Sequence, residues 1–275
     1  MSSADKHTAT RFDLDERQRA MLEVMGVRVW SDATPPVEAL ARPSESVVAE
    51  APRITPPAAP RQQPAPPSAS FSESATSPMG WAELQQAVFG CTACGLCKHR
   101  KQTVFGVGSP AASEGQVPRV DWLVVGEAPG EQEDLAGEPF VGQAGKLLDN
   151  MLAAVGLSRH DSRGGGVYII NTLKCRPPAN RNPQPQELAQ CAPFLHRQIE
   201  LLQPKVILAA GRFAAQSLLA HVADIEKIPL GKLRGQVHRL GQIPVVVTYH
   251  PAYLLRSLPD KAKAWEDLVL AARFV

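Results

Sequence analysis

From residue 80 onward the chain alternates between short apolar runs and amphipathic stretches. The runs VDWLVVGE (120–127), VYIINTLK (167–174), KVILAAG (205–211) and PVVVTYHP (244–251) are rich in β-branched residues, and each ends in polar loop positions. That pattern predicts four strands. Between them apolar residues recur three and four apart, at Leu147, Leu148, Met151, Leu152 and Val155, then at Leu188, Cys191, Leu195, Ile199 and Leu202. This spacing predicts helices with one buried face, the second expected to kink at Pro193 or to restart after Cys191. Strand–helix alternation implies an α/β fold whose mostly parallel sheet is covered on both faces. Ligands of such sheets bind beyond the carboxyl ends of the strands, where this chain places Glu127, Asn171 and His250. These three are expected to converge on one cleft.

The N-terminal part reads differently. In DLDERQRAMLEVMGVRVW, Asp13 can cap a helix with Glu16 three residues on, Leu14, Met21, Leu22 and Met25 share a face, and Gly26 is a stop. Residues 1–30 are therefore expected to be a tail with one amphipathic helix, too short to fold alone. Eleven of the 25 prolines lie between Pro35 and Pro78, among Ser and Ala. Residues 31–78 accordingly read as a disordered, polyproline-like linker. The globular domain is expected over 79–275.

No apolar run among the 275 residues is long enough to cross a membrane, and the first residues lack the apolar segment of a secretory signal. A cytoplasmic, reducing location is expected, where five cysteines are metal ligands or redox groups rather than disulfides. The net charge of +2 divides into −2 over residues 1–79, with 8 basic and 10 acidic side chains, and +4 over 80–275, with 21 and 17. A surplus of that size permits nucleic-acid binding without requiring it.

Cys91 and Cys94 form a C-x2-C pair, Cys97 follows three later, and Cys175 and Cys191 lie far downstream. Four thiolates suit zinc or an iron–sulfur cluster, and the split second pair disfavours a zinc ribbon. Cys97 is either an alternative ligand or a bystander. The segment GEAPGEQEDLAGEPFVGQAG (126–145) is rich in glycine yet strongly acidic. Its carboxylates would repel a phosphate, which suggests something other than a nucleotide triphosphate.

Together CTAC, VFGVG, GEAPGEQED…GEPFVG, NTLKCRPPANRNP, the later Cys191 and HPAYLLR resemble family 4 uracil-DNA glycosylases, the iron–sulfur class. The motifs stand in family order across residues 80–275. The resemblance implies a three-layer α/β/α fold with a central four-stranded parallel sheet, and a 4Fe-4S cluster on Cys91, Cys94, Cys175 and Cys191. It also implies hydrolysis of the N-glycosidic bond of uracil in DNA by a monomeric enzyme. Glu127, Asn171 and His250 would be catalytic. Glu127, Ala128 and Pro129 would line the pocket and place water, Phe140 would lie against uracil, and Glu133 would stand near its C5 edge. Asn171 would read N3–H and O4, and His250 would donate to O2. Leu254 would fill the hole left by the flipped base, with Arg256 and Lys174 near phosphates. Ala128 departs from the glycine of some members, and Gly130 stands where another branch has a thymine-blocking Tyr. The basic insertion of the relative that traps uracil covalently has no counterpart around His238. MLEVMGVRVW is similar to a short peptide of a replicative polymerase's psi subunit, which implies a replication-machinery partner for residues 13–30. The rival reading is a non-catalytic iron–sulfur DNA-binding module associated with replication.

Overall fold

In a computed structural model, which describes residues 78–108, 117–118, 120–160 and 166–275, the four β-rich runs become the parallel middle of a six-stranded sheet. The strands are β1 (Val107–Gly108), β2 (Trp122–Gly126), β3 (Val167–Asn171), β4 (Val206–Ala210), β5 (Val237–Leu240) and β6 (Ile243–Thr248). Their order is β1-β3-β2-β4-β6-β5, with the inner four parallel and both outer strands antiparallel. The helix expected within residues 13–30 and nearly all of the linker lie outside the described residues, which belong to the unit Gln63–Val275.

The helices are α1 (Trp81–Phe89), α2 (Glu131–Ala136), α3 (Gln143–Ala153), α4 (Pro185–Leu202), α5 (Arg212–Leu218), α6 (Leu230–Leu233), α7 (Pro251–Leu254) and α8 (Asp260–Ala271). Alternate strand residues feed two cores. Leu123, Val125, Ile170, Ile207, Ala209, Val245 and Val247 pack with α1, α4 and α5. Trp122, Val124, Ile169, Leu208 and Val246 pack on the other face with Leu148 and Leu152 of α3 and Leu268 of α8. Every residue of β2, β3 and β4 is buried, which explains why these strands, Asn171 at the end of β3 apart, are continuous apolar runs rather than alternating. Each Val, Leu or Ile side chain among them contributes about 1.5–3 kcal/mol on burial.

Two expectations change. Helix α4 continues through Pro193, so the restart expected after Cys191 is not found. Pro193 is itself buried beside Phe194, Leu195, Ile199 and Leu202, and burial of that face offsets the roughly 3 kcal/mol that an interior proline costs. The sheet also gains β1 and β5 beyond the four strands read from the sequence. Strand β5 folds back on β6 with Leu240 opposite Ile243, across a two-residue turn in which Gly241 has φ 59°. Glycine supplies the positive φ that such a two-residue turn needs.

Candidate active site

The parallel register sets Gly126 beside Asn171, so the loop after β2 and the end of β3 open at the same level. The amides of Thr172 and Leu173 donate to the carbonyls of Gly126 and Glu127 at 3.0 and 3.1 Å, and the Thr172 hydroxyl also donates to Glu127. His250 follows β6 and caps α7. A cleft of about 550 Å³ lies beyond these ends, lined by Glu127, Ala128, Pro129, Glu133, Phe140, Asn171, His250 and Arg256. The expected convergence of Glu127, Asn171 and His250 is found.

The ring of Phe140 is held in place by several unusual contacts. Phe140 has φ 56°, a left-handed conformation that a bulky residue rarely adopts. Its carbonyl presses on α3, where a β-carbon on Gly145 would lie 1.7 Å from the oxygen. Gly126 is equally constrained, because a β-carbon there would lie 2.4 Å from Asn171 Oδ1 and 2.6 Å from the Phe140 ring. The Glu133 carboxylate accepts from the amides of Gly130, Val141 and Gly142 at 3.1, 3.0 and 3.2 Å, which closes the loop around Phe140. Buried Arg159 donates to the Pro139 carbonyl at 2.9 Å and to Asp149 at 2.7 Å. Next to Glu133, buried Asp134 accepts from the Lys101 amide at 2.9 Å. The acidity of segment 126–145 is thus partly consumed by the chain's own amides. Gly145→Ala is expected to cost about 1–3 kcal/mol and lower Tm by about 2–12 °C; an unaltered melting curve would show that the Phe140 turn is not held there.

His250 stacks on Phe140, with centroids 5.4 Å apart and planes at 27°. Its Nδ1 accepts from the Ala252 amide at 3.2 Å. Nδ1 is therefore the unprotonated nitrogen, and in the neutral ring Nε2 carries the hydrogen. Burial pushes the imidazole down to about 4, aided by the Arg256 charge and opposed by Glu133. At neutral pH the ring is an uncharged donor. Desolvation holds Glu127 above the usual carboxylate range.

Asn171 is 2% exposed, and its Oδ1 has no hydrogen-bond partner among the described residues. A buried acceptor left unpaired costs about 1–3 kcal/mol, so its presence in a cleft points to a ligand donor.

Two expected DNA contacts are not available where they were expected. Lys174 is 2% exposed, and its Nζ donates to the Asn171 carbonyl at 2.7 Å instead of facing solvent. Leu254 is fully buried on α7, whereas Tyr253, Leu255 and Leu258 of the same segment are exposed. Arg256 is exposed and lines the cleft. Asn180, Arg181 and Tyr253 also line it and were not singled out as site residues. Arg181 forks onto Glu187 at 2.9 and 2.5 Å, and the Tyr253 hydroxyl donates to Asp260 at 2.7 Å. The one sequence signal for Asn180 and Arg181 is a polar loop directly after a strand that reaches the site.

Behind the cleft, Cys91, Cys94, Cys97, Cys175 and Cys191 line one cavity with Arg100 and Lys174. Ala128 and Leu173 pack in the same cluster as Cys175, between cavity and cleft. Arg100 donates to Cys175 Sγ at 3.2 Å and to the Cys91 carbonyl at 2.8 Å. Burial raises the Cys94 and Cys175 thiols and pushes Cys191 up to about 12, while Lys174 is pushed down to about 8 against the pull of Cys191 and Cys175. Among the described residues no three His, Cys, Asp or Glu side chains are grouped to hold a metal ion. The donor set is all thiol, with two cations beside it. No helix among the described residues is long and apolar enough to cross a membrane.

Residues 112–269 match the family model described as the uracil DNA glycosylase superfamily. A protein of Archaeoglobus fulgidus named Type-4 uracil-DNA glycosylase is 42% identical over 177 residues, covering 63% of this chain and 82% of that one. Proteins of the same name from Thermotoga maritima and Saccharolobus solfataricus are each 40% identical, over 195 and 182 residues. The first covers 70% of this chain and 93% of its own length, the second 64% and 78%.

Proposed function

Because the chain belongs to the uracil-DNA glycosylase superfamily, we propose that it hydrolyses the N-glycosidic bond of uracil in DNA, the first step of base excision repair. The observation that carries this reading is the buried, unpaired Oδ1 of Asn171, set in a cleft with an aromatic ring and an uncharged imidazole.

Uracil within a duplex is out of reach of such a cleft, so the nucleotide is extruded into it. The Phe140 ring supports the face of the base. Asn171 Oδ1 accepts from N3–H, filling its empty position, and the amide nitrogen donates to O4. As the C1′–N1 bond breaks, its electron pair passes to the base and negative charge collects at O2. There His250 Nε2–H donates as a preorganised dipole. Water held along Glu127, Ala128 and Pro129 adds to C1′, the proton it releases ends on the uracil anion, and neutral uracil departs. Glu133, occupied by three amides, serves this chemistry by holding the Phe140 loop.

Cys91, Cys94, Cys175 and Cys191 fit a 4Fe-4S cluster. The donor set is entirely sulfur, a multi-iron cluster binds each thiolate to a separate iron and so needs no tight three-ligand group, and Arg100 and Lys174 offset thiolate charge. Bound there, the cluster would cross-link the loop after α1, the segment after β3 and helix α4. The purified protein is expected to contain iron and acid-labile sulfide in equal amounts; zinc alone would refute the cluster. Cys97→Ser is expected to keep iron and Cys175→Ser to lose it together with much of the stability, and the opposite pattern would reassign the fourth ligand.

The function itself is tested by incubating the protein with a uracil-containing oligonucleotide and cleaving abasic sites with alkali. Cleavage at the uracil position is expected; none above background, with iron present, would overturn the reading.

A further inference from the structure

Lys174 is buried between two features of this protein that lie on either side of it. Lys174 is one of the residues that line the cysteine cavity, and its Nζ donates to the main-chain carbonyl of Asn171 at 2.7 Å. Burying an ammonium is costly unless charge or hydrogen bonds compensate it; among the described residues the Asn171 carbonyl accepts from it, and the thiolates of a bound cluster would supply the opposing charge. The same short segment is tied to the rest of the site, since Thr172 and Leu173 bond the carbonyls of Gly126 and Glu127. Residues 171–175 therefore run from the unpaired amide in the cleft to Cys175, and Lys174 folds back along them. A side chain needed only as filler could be apolar, like its neighbour Leu173, which is buried in the cysteine-side cluster.

From this arrangement we propose that Lys174 is a positioning residue for base recognition: its ammonium, facing the sulfur centre on one side, fixes the Asn171 carbonyl on the other and so orients the side-chain amide that reads the base. The proposal rests on the uracil-excision reading and on the cysteines holding a cluster. It assigns the centre a role in discrimination that involves no electron transfer. The centre supplies the negative charge that keeps a cation buried beside the reading residue.

The test compares affinities by fluorescence anisotropy for an oligonucleotide carrying one 2′-fluoro-2′-deoxyuridine, whose fluorine disfavours the oxocarbenium-like state and blocks cleavage, and for the same strand with deoxycytidine. Iron is measured on the same preparations. Lys174→Met is expected to keep wild-type iron and to lower the uracil-over-cytosine ratio about 10- to 100-fold, the range for losing a hydrogen bond from a charged group. In an Asn171→Ala background it should lower the ratio no further. An unchanged ratio, or the same loss with and without Asn171, overturns the proposal. If Lys174→Met folds poorly or loses iron, Lys174→Gln decides, since it retains a donor without the charge; a wild-type ratio in that variant also overturns the proposal. A wild type without uracil preference overturns the functional reading, and one without iron overturns the cluster, each before any variant is compared.

Discussion

His250→Ala is expected to lower the rate of uracil excision by roughly 100- to 1,000-fold, the usual cost of removing one preorganised donor from a developing oxyanion. The reason lies in a proton assignment. Ala252 occupies Nδ1, so the only hydrogen of the neutral ring is on Nε2. Single-turnover excision measures the loss, and binding to abasic DNA should be retained, because the product carries no charge developing at O2. A variant as fast as wild type would make His250 a helix cap and nothing more.

The same residue makes a pH prediction whose sign can be worked through. The folded imidazole titrates near 4, below the ordinary value of 6.5, so the neutral form is favoured by folding. Above about pH 6.5 neither folded nor unfolded chain is protonated there, and no penalty exists. Between about 6.5 and 4 only the unfolded chain takes the proton, which removes no more than about 3 kcal/mol of stability. Excision should be insensitive to His250 protonation until pH approaches 4. The melting temperatures of wild type and His250→Gln should converge as pH falls from 7 to 4; a constant gap would show that the imidazole titrates normally.

Asn171→Asp is expected to slow uracil excision by about 10- to 100-fold. An ionised carboxylate still accepts from N3–H but cannot donate to O4, which leaves that buried oxygen unpaired at a cost of about 1–3 kcal/mol. Cytosine presents the reverse order at those two positions. Once protonated, the introduced carboxyl could donate to cytosine N3 and accept from its amino group, so a trace of cytosine excision should appear and grow as pH is lowered. The substitution preserves side-chain shape, so the comparison isolates the lost donor. Matched uracil and cytosine oligonucleotides decide the matter: excision of uracil at the wild-type rate would mean that the base is read by other groups.

What could be read from the chain follows from how many residues carry each signal. Strands β2, β3, β4 and β6 announce themselves as continuous apolar runs because much of each is buried on both faces. Strand β1 has two residues, and β5 alternates between exposed and half-buried positions, so neither produces such a run. Glu127, Asn171 and His250 were legible because a strand end is a place that the fold itself reserves for ligands. Lys174 and Leu254 were misplaced because spacing along a short segment does not tell which way a side chain turns. Lys174 turns inward to a carbonyl three residues back, and Leu254 is the inward residue of a four-residue helix. Nor does an acidic loop disclose that Glu133 is engaged by three amides: the Gly130 amide is a local partner three residues back, but Val141 and Gly142 lie beyond the left-handed turn at Phe140.

The two outer strands, illegible in the sequence, bear on how the protein behaves at high concentration. Four parallel strands made mostly of Val, Ile, Leu and Ala would, if left open at either side, offer unpaired main-chain groups to a second molecule and seed aggregation. Here one margin is closed by β1, two residues long and too short to template another strand, and the other by β5, which carries His238 and Arg239. The most aggregation-prone element of the fold is thereby bordered on each side by its least conspicuous pieces.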